Sequence, residues 1–148
     1  MQYPFPFAEE RRQRVLDETG ILDTPKAPEF DRLTDHAADY FQTPIAIVSL
    51  VDRDRQWFKS CVGLDACETG RDVAFCAHTV TQEDVLLVLD ATKDPRFKDN
   101  ALVTGPPHIR FYAGAPIIVD GVNIGSFCII DDKPRDSFSI NHERRLKA

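Results

Sequence analysis

This chain lacks any run long enough to cross a bilayer. Its longest apolar stretch, Ile45 to Val51, already contains Ser49 and falls far short of the roughly 20 residues that a spanning helix needs. Residues 1–7 show no basic region followed by a long apolar core, so no secretory signal is expected and the fragment reads as cytoplasmic, without membrane contact. Positive charge is in the minority, with 18 Lys and Arg against 24 Asp and Glu and a net charge of -6. That balance argues against nucleic acid as a partner, because its phosphates need cations clustered on one face. Cysteine is sparse and irregular: Cys61, Cys67, Cys76 and Cys128 form no C-x-x-C pair and show no spacing of a zinc site or disulfide framework. Cys128 falls inside an apolar strand and Cys61 near a strand end, where the residue commonly serves as a small hydrophobe. There is no internal repeat and no low-complexity stretch.

What is present suits one globular domain, since 148 residues with 43% hydrophobic content can bury a sizeable core. Residues 105–131 organise it. Two apolar runs meet at Asp120-Gly121, a pair that supplies the positive φ angles of a tight two-residue hairpin turn. If Val119 faces Val122, alternation places Phe111, Ala113, Ala115 and Ile117 on one face with Ile124, Ser126, Cys128 and Ile130. Tyr112, Gly114, Pro116 and Ile118 then share the other face with Asn123, Gly125, Phe127 and Ile129, and Gly114 lies opposite Phe127. Both faces are largely apolar, so the hairpin is expected to be covered on both sides. Pro116 has no N–H and predicts an edge, a bulge or a gap in the ladder.

In chain order, residues 1–7 read as an extended lead-in and residues 8–19 as a charged helix with Gly20 as its C-cap. Its thin apolar stripe, Val15 and Leu16, predicts a helix lying against a neighbouring domain or a second copy, hence a homodimer through the terminal helices. A second helix starts near Pro28, and Phe30, Leu33, Ala37, Tyr40 and Phe41 are expected to face the sheet. Residues 44–51 and 56–62 form a second hairpin around a polar turn. Residues 73–80 read as a short helix or irregular turn, 85–89 as a short strand, and 90–100 as a polar loop anchored by Phe97. Ser139 is placed to cap a last helix over 139–148, and its stop at Ala148 leads to the expectation of an output domain downstream.

Three phrases, GILDTPKAPEFDRLTDHAADYF, VSLVDRDRQWFKSCVGL and FYAGAPIIVDGVNIGSFCIID, resemble in this order the opening, the first two strands and the last hairpin of GAF domains. These are small sensory modules of bacterial histidine kinases, cyclic-dinucleotide enzymes and photoreceptors. The likeness runs over about residues 10–134 of a single domain spanning 1–148. It implies an α/β (α+β) fold: a central, mainly antiparallel sheet with helices on one face, and loops with short helices on the other that enclose a ligand pocket where there is one. The implied function is regulatory and non-enzymatic, with a small molecule or a partner sensed and the change passed through the terminal helices. The cofactor is left unknown. One alternative is a free methionine sulfoxide reductase-like enzyme, although residues 108–114, where that branch is expected to place reactive cysteine, contain none. Another is a ligand-free dimerisation module. Bilin-binding members carry a cysteine ahead of a His near the last hairpin; here Thr104 holds its place before His108, so covalent attachment at that position is not expected.

The candidate ligand residues are Phe75, Cys76, His78, Phe97, His108, Arg110 and Tyr112, with no catalytic and no metal-ligating residue assigned. Cys76 and His78 share a face on a strand but point nearly opposite ways on a helix, and neither an oxyanion site nor a group to orient the base is identifiable. His108, Arg110 and Tyr112 alternate onto one side if the strand begins at His108, which would suit an anionic or aromatic ligand. The plainer alternative is an Arg110 to Asp131 cross-strand pair with Tyr112 in the core. Phe75, Phe97, Phe111 and Phe127 either line a pocket or simply fill the core. Asp90, Asp94, Asp99 and Asn100 have the composition of a calcium loop without its alternation or central glycine, and are expected to be a solvated loop.

Overall fold

The computed structural model describes residues 9–25, 27–64, 68–70, 75, 78, 85–105, 108–119, 121–135 and 138. The expected C-terminal helix over 139–148 and most of 73–80 lie outside them. The two hairpins read from the sequence stand side by side. β1 (Ile45–Val51) and β2 (Arg55–Val62) form one, β5 (Phe111–Val119) and β6 (Val122–Asp131) the other, and β1 pairs with β6 between them. β3 (Glu68–Gly70) joins β2 and β4 (Leu86–Val88) joins β5, which completes a six-stranded antiparallel sheet of order β3-β2-β1-β6-β5-β4.

Every residue of β1 is buried, as an apolar run flanked by strands and covered on both faces requires. Ala46, Val48 and Leu50 meet the helices α1 (Glu9–Thr19) and α2 (Pro28–Phe41), while Ile45, Ile47 and Val51 meet loop residues that include Phe75 and Phe97. The sheet thus has a helix face and a loop face. At the end of β6, Arg135 donates to the Phe41 carbonyl at 2.6 Å and stands 4.9 Å over the Phe111 ring, clamping the strand to the C-terminus of α2.

Val119 faces Val122 as expected, but a bulge between Ile117 and Ile118 places Ile117 opposite Gly125 and displaces every pair beyond it by one residue. A slip of one residue exchanges the faces. Gly114 therefore lies opposite Cys128, and Ala115, not Gly114, faces Phe127. Phe111, Ala113 and Ala115 share the helix face with Phe127 and Ile129, whereas Tyr112 joins Cys128 and Ile130 on the loop face. The bulge begins one residue past Pro116, which also lies beyond the last β4 pair at Gly114.

Both helices differ from the sequence reading, α2 in the face it buries and α1 in what its apolar stripe packs against. On α2 the buried row is Thr34, Ala37 and Phe41, and Leu33 and Tyr40 remain 49% and 47% exposed. Thr34 takes the inner position because its hydroxyl lies 2.8 Å from that of Ser60, which donates in turn to Asp31 at 2.6 Å. On α1, Val15 and Leu16 pack against Val48, Leu50, Trp57 and Ile124 of the chain's own sheet. Polar residues widen that contact: Arg12, 1% exposed, donates to the Val51 carbonyl at 2.5 Å and to Glu9 at 2.8 Å, and Gln13 donates to Asp52 at 2.7 Å. The stripe that the sequence offers for self-association is occupied within the chain.

The pairing of β6 with β1 leaves no room for a side chain at Gly125. A Cβ on Gly125 would collide with the Ser49 carbonyl oxygen and lie 3.0 Å from the Leu50 Cα, main-chain atoms that cannot move aside. Gly125→Ala is expected to lower stability by about 3 kcal/mol in urea denaturation. Gly121→Ala, at φ +74 but with nothing within 4 Å, should cost about 1 kcal/mol from backbone conformation alone.

Candidate functional site

The loop 90–104 is built to drive one aromatic inward. Asp90 accepts from the Thr92 N–H at 3.0 Å and caps a 3-10 turn, Ala91–Lys93. Asp94 accepts from the Arg96 N–H at 2.9 Å, and Asn100 caps a short helix, Ala101–Thr104, by accepting from Leu102 N–H at 2.8 Å. Asp90, Asp94 and Asn100 thus serve their own backbone, and among the described residues no three His, Cys, Asp or Glu side chains converge on a metal position. With its polar groups engaged locally, the loop buries Phe97 completely.

Phe97 stacks on Phe75 with centroids 4.1 Å apart and planes at 11°, Phe75 lies 5.2 Å from Tyr112, and the His78 ring meets Phe97 edge-on at 4.6 Å. The structure therefore brings Phe75, His78, Phe97 and Tyr112 together on the loop face; Cys76 lies outside the described residues. His108 and Arg110 do not join them. His108 is exposed with φ +61, which breaks the alternation, and β5 begins at Phe111. The Arg110 guanidinium donates to the Val103 and Ile109 carbonyls at 2.9 and 3.1 Å, while the Asp131 carboxylate lies 3.9 Å from Arg135. Phe111 and Phe127 face the helices, with Phe111 5.6 Å from Phe138.

A polar row missed in the sequence crosses the same loop face. Tyr112 Oη lies 3.0 Å from Ser126 Oγ, Ser126 is in register with Ser49, Ser49 donates to Gln56 Oε1 at 3.2 Å, and Gln56 donates to Thr69 Oγ1 at 2.6 Å. These residues come singly from β5, β6, β1, β2 and β3, so no local motif announces them. The only sequence signal is one serine interrupting each of two apolar runs, in IAIVSLV and in VNIGSFCIID. Gly114 makes the first link possible, since a Cβ there would overlap both Tyr112 Oη and Ser126 Oγ.

At the β3 end, Arg55 holds three carboxylates: Asp23 at 2.8 Å, Asp52 at 3.0 Å and Glu68 at 2.6 Å. These bonds, Asp23 first and Glu68 next, raise the Arg55 pKa and keep it charged. Asp52 also accepts from Gln13, so α1, the β1–β2 turn, the segment after α1 and β3 share one ionic cluster.

His78 is half-buried, and burial followed by the nearby Arg96 charge holds its pKa below the ordinary 6.5, against an opposing pull from Asp94. The folded state therefore favours neutral imidazole, and the unfolded chain binds the proton first. Stability is lost as pH falls below the ordinary value toward the lowered one. The urea midpoint should drop between about pH 7 and pH 5, and drop less in His78→Gln, which has no proton to gain.

Residues 28–148 match the family model described as GAF domain. The chain is 47% identical over 133 residues to a cyclic di-GMP phosphodiesterase of Pseudomonas aeruginosa, an alignment that takes in 89% of this chain and 23% of that protein. Among solved structures, it is similar to a free methionine-R-sulfoxide reductase from Neisseria meningitidis, with a TM-score of 0.66, 16% identity, and 99% and 89% of the two chains covered. The GAF domain of an Acinetobacter phosphoenolpyruvate-protein phosphotransferase gives a TM-score of 0.63 at 17% identity, covering 93% and 89%. Identities that low establish the fold alone. With the antiparallel sheet, the helices on one face and the loop-covered aromatic cluster on the other, the family match leads to one conclusion: this chain belongs to the GAF domain family.

Proposed function

We propose that this chain is the sensing module of a longer cyclic-dinucleotide signalling protein, receiving a small molecule on the loop face and passing the change on through α1. The observation that carries this reading is the position of β3. Thr69 ends the polar row on the loop face, and the adjacent Glu68 enters the Arg55 cluster that reaches α1 through Asp52 and Gln13. A ligand that prefers one arrangement of the loop face then biases the seating of α1, because a population shift needs only a difference in affinity between two states. The charges involved are partly exposed, so the coupling is modest and graded rather than a rigid lock.

A reductase reading, which would use Cys76 with Cys61 or Cys67, finds less support from the cysteines among the described residues. Cys61 donates to the Leu64 carbonyl at 3.4 Å and Cys128 is 1% exposed within the apolar core, positions that suit packing better than redox exchange, while Cys67 and Cys76 lie outside the described residues. A cytoplasmic setting goes with the sensing role, and no helix among the described residues is long and apolar enough to cross a membrane. The test uses the protein that carries this chain. The purified chain alone should hydrolyse no cyclic di-GMP, while removing it should change the turnover of the parent protein several-fold. Unchanged turnover would overturn the sensing role.

A further inference from the structure

The chemistry of the polar row narrows what it can bind, an inference that rests on the sensing reading above. Gln56 is 6% exposed. A carboxamide offers two N–H donors and two carbonyl lone pairs, and its side-chain bonds use one of each, with Ser49 at Oε1 and Thr69 at Nε2. The Thr69 hydroxyl donates to the Gly70 carbonyl at 3.2 Å and so accepts from the amide, which places the Gln56 nitrogen toward Thr69 and its oxygen toward Ser49. Among the described residues one donor and one acceptor are left over, in the plane of the same amide, although buried polar groups are normally satisfied. Gln56 is paired with Val51, whose side chain belongs to the core on the loop face with Phe75 and Phe97.

The row carries no formal charge. Arg55, next to Gln56 on β2, points to the other side of the strand and is already held by three carboxylates, and Arg110 is engaged by backbone carbonyls. An ionised ligand would meet no counter-charge in the row. A molecule that presents an N–H and a C=O side by side as one amide is itself planar. We infer that the row binds a small, neutral, planar molecule through a cis-amide or lactam edge, whose adjacent C=O and N–H complete the carboxamide of Gln56.

The test is a titration of the isotope-labelled chain with 2-pyridone, a neutral planar lactam, and with N-methyl-2-pyridone, which differs by blocking the donor. Backbone amides of Ser49, Gln56, Thr69 and Ser126 are followed by NMR, with the Gln56 side-chain amide identified by its loss in Gln56→Leu. Saturable shifts with 2-pyridone are expected, with affinity at least tenfold weaker for the N-methyl compound and at least tenfold weaker in Gln56→Leu. Should Gln56→Leu fail to fold, Thr69→Val on edge strand β3 removes the bond that orients the amide and is expected to weaken binding several-fold. Unmoved resonances at millimolar 2-pyridone would mean that the spare groups serve water alone, and equal affinity for both compounds would mean that no donor is recognised; either overturns the inference. Shifts of these resonances by benzoate but not by 2-pyridone would remove the lactam and leave the sensing role intact. An unchanged parent turnover on removal of the chain would remove the sensing role, with the titration still deciding whether the row binds a lactam.

Discussion

Burial of β1 on both faces is the constraint on which the rest of this molecule depends. A strand reading IAIVSLV cannot lie at an edge or leave a side open to water, since each large apolar side chain gains about 1.5–3 kcal/mol on burial. It must be hydrogen-bonded on both sides and covered above and below. β2 and β6 supply the first requirement, α1 and α2 cover one face, and the aromatic loop covers the other. Ser49 is the exception inside the run, and it is tolerated there because its hydroxyl donates a hydrogen bond to Gln56 Oε1.

The two faces are finished by different kinds of interaction. On the helix face, α1 is seated by few apolar groups and by several buried polar ones, with Arg12 capping the end of β1 through the Val51 carbonyl. Such contacts are directional, so a small rotation of the helix loses them together, whereas apolar contacts would slide. On the loop face, stacked rings and a neutral hydrogen-bonded row meet at Tyr112, whose ring belongs to the first and whose hydroxyl belongs to the second. The asymmetry gives the domain one face that can respond to chemistry and another that can report orientation.

Much of this architecture was legible in the sequence because its signals are local. Asp120-Gly121 marks the hairpin, Pro28 opens α2 at its first position, and Gly20 ends α1 with φ +67. Phe97 as the anchor of its loop was readable as a single large apolar residue among polar ones. What was not legible depends on contacts between distant strands. The exchange of faces along β5 and β6 follows from a bulge between Ile117 and Ile118; Pro116 signals an irregularity there, but not which strand gains the residue or how the register moves. α2 offered more apolar positions than one face can bury, and the choice of Thr34 over Leu33 depends on Ser60, 26 residues away. The polar row is invisible for the same reason: its members are neighbours only once the sheet has formed.

The bulge at Ile117 and Ile118 has a bearing on how this hairpin can change over evolutionary time. The extra residue in β6 is Ile124, since Ile118 pairs with Asn123 and Ile117 with Gly125, so the segment between Gly121 and Ser126 can lose it and still keep every other pair of the hairpin. Apolar residues there can exchange for one another at modest expense. A single deletion would leave Gly114 opposite Cys128 and Ser126 on the face of Tyr112, and would remove the local bend together with the contact that Ile124 makes in the cluster of Val15 and Leu16. Relatives with one residue fewer in this turn should therefore keep the same loop face and differ in how α1 is seated.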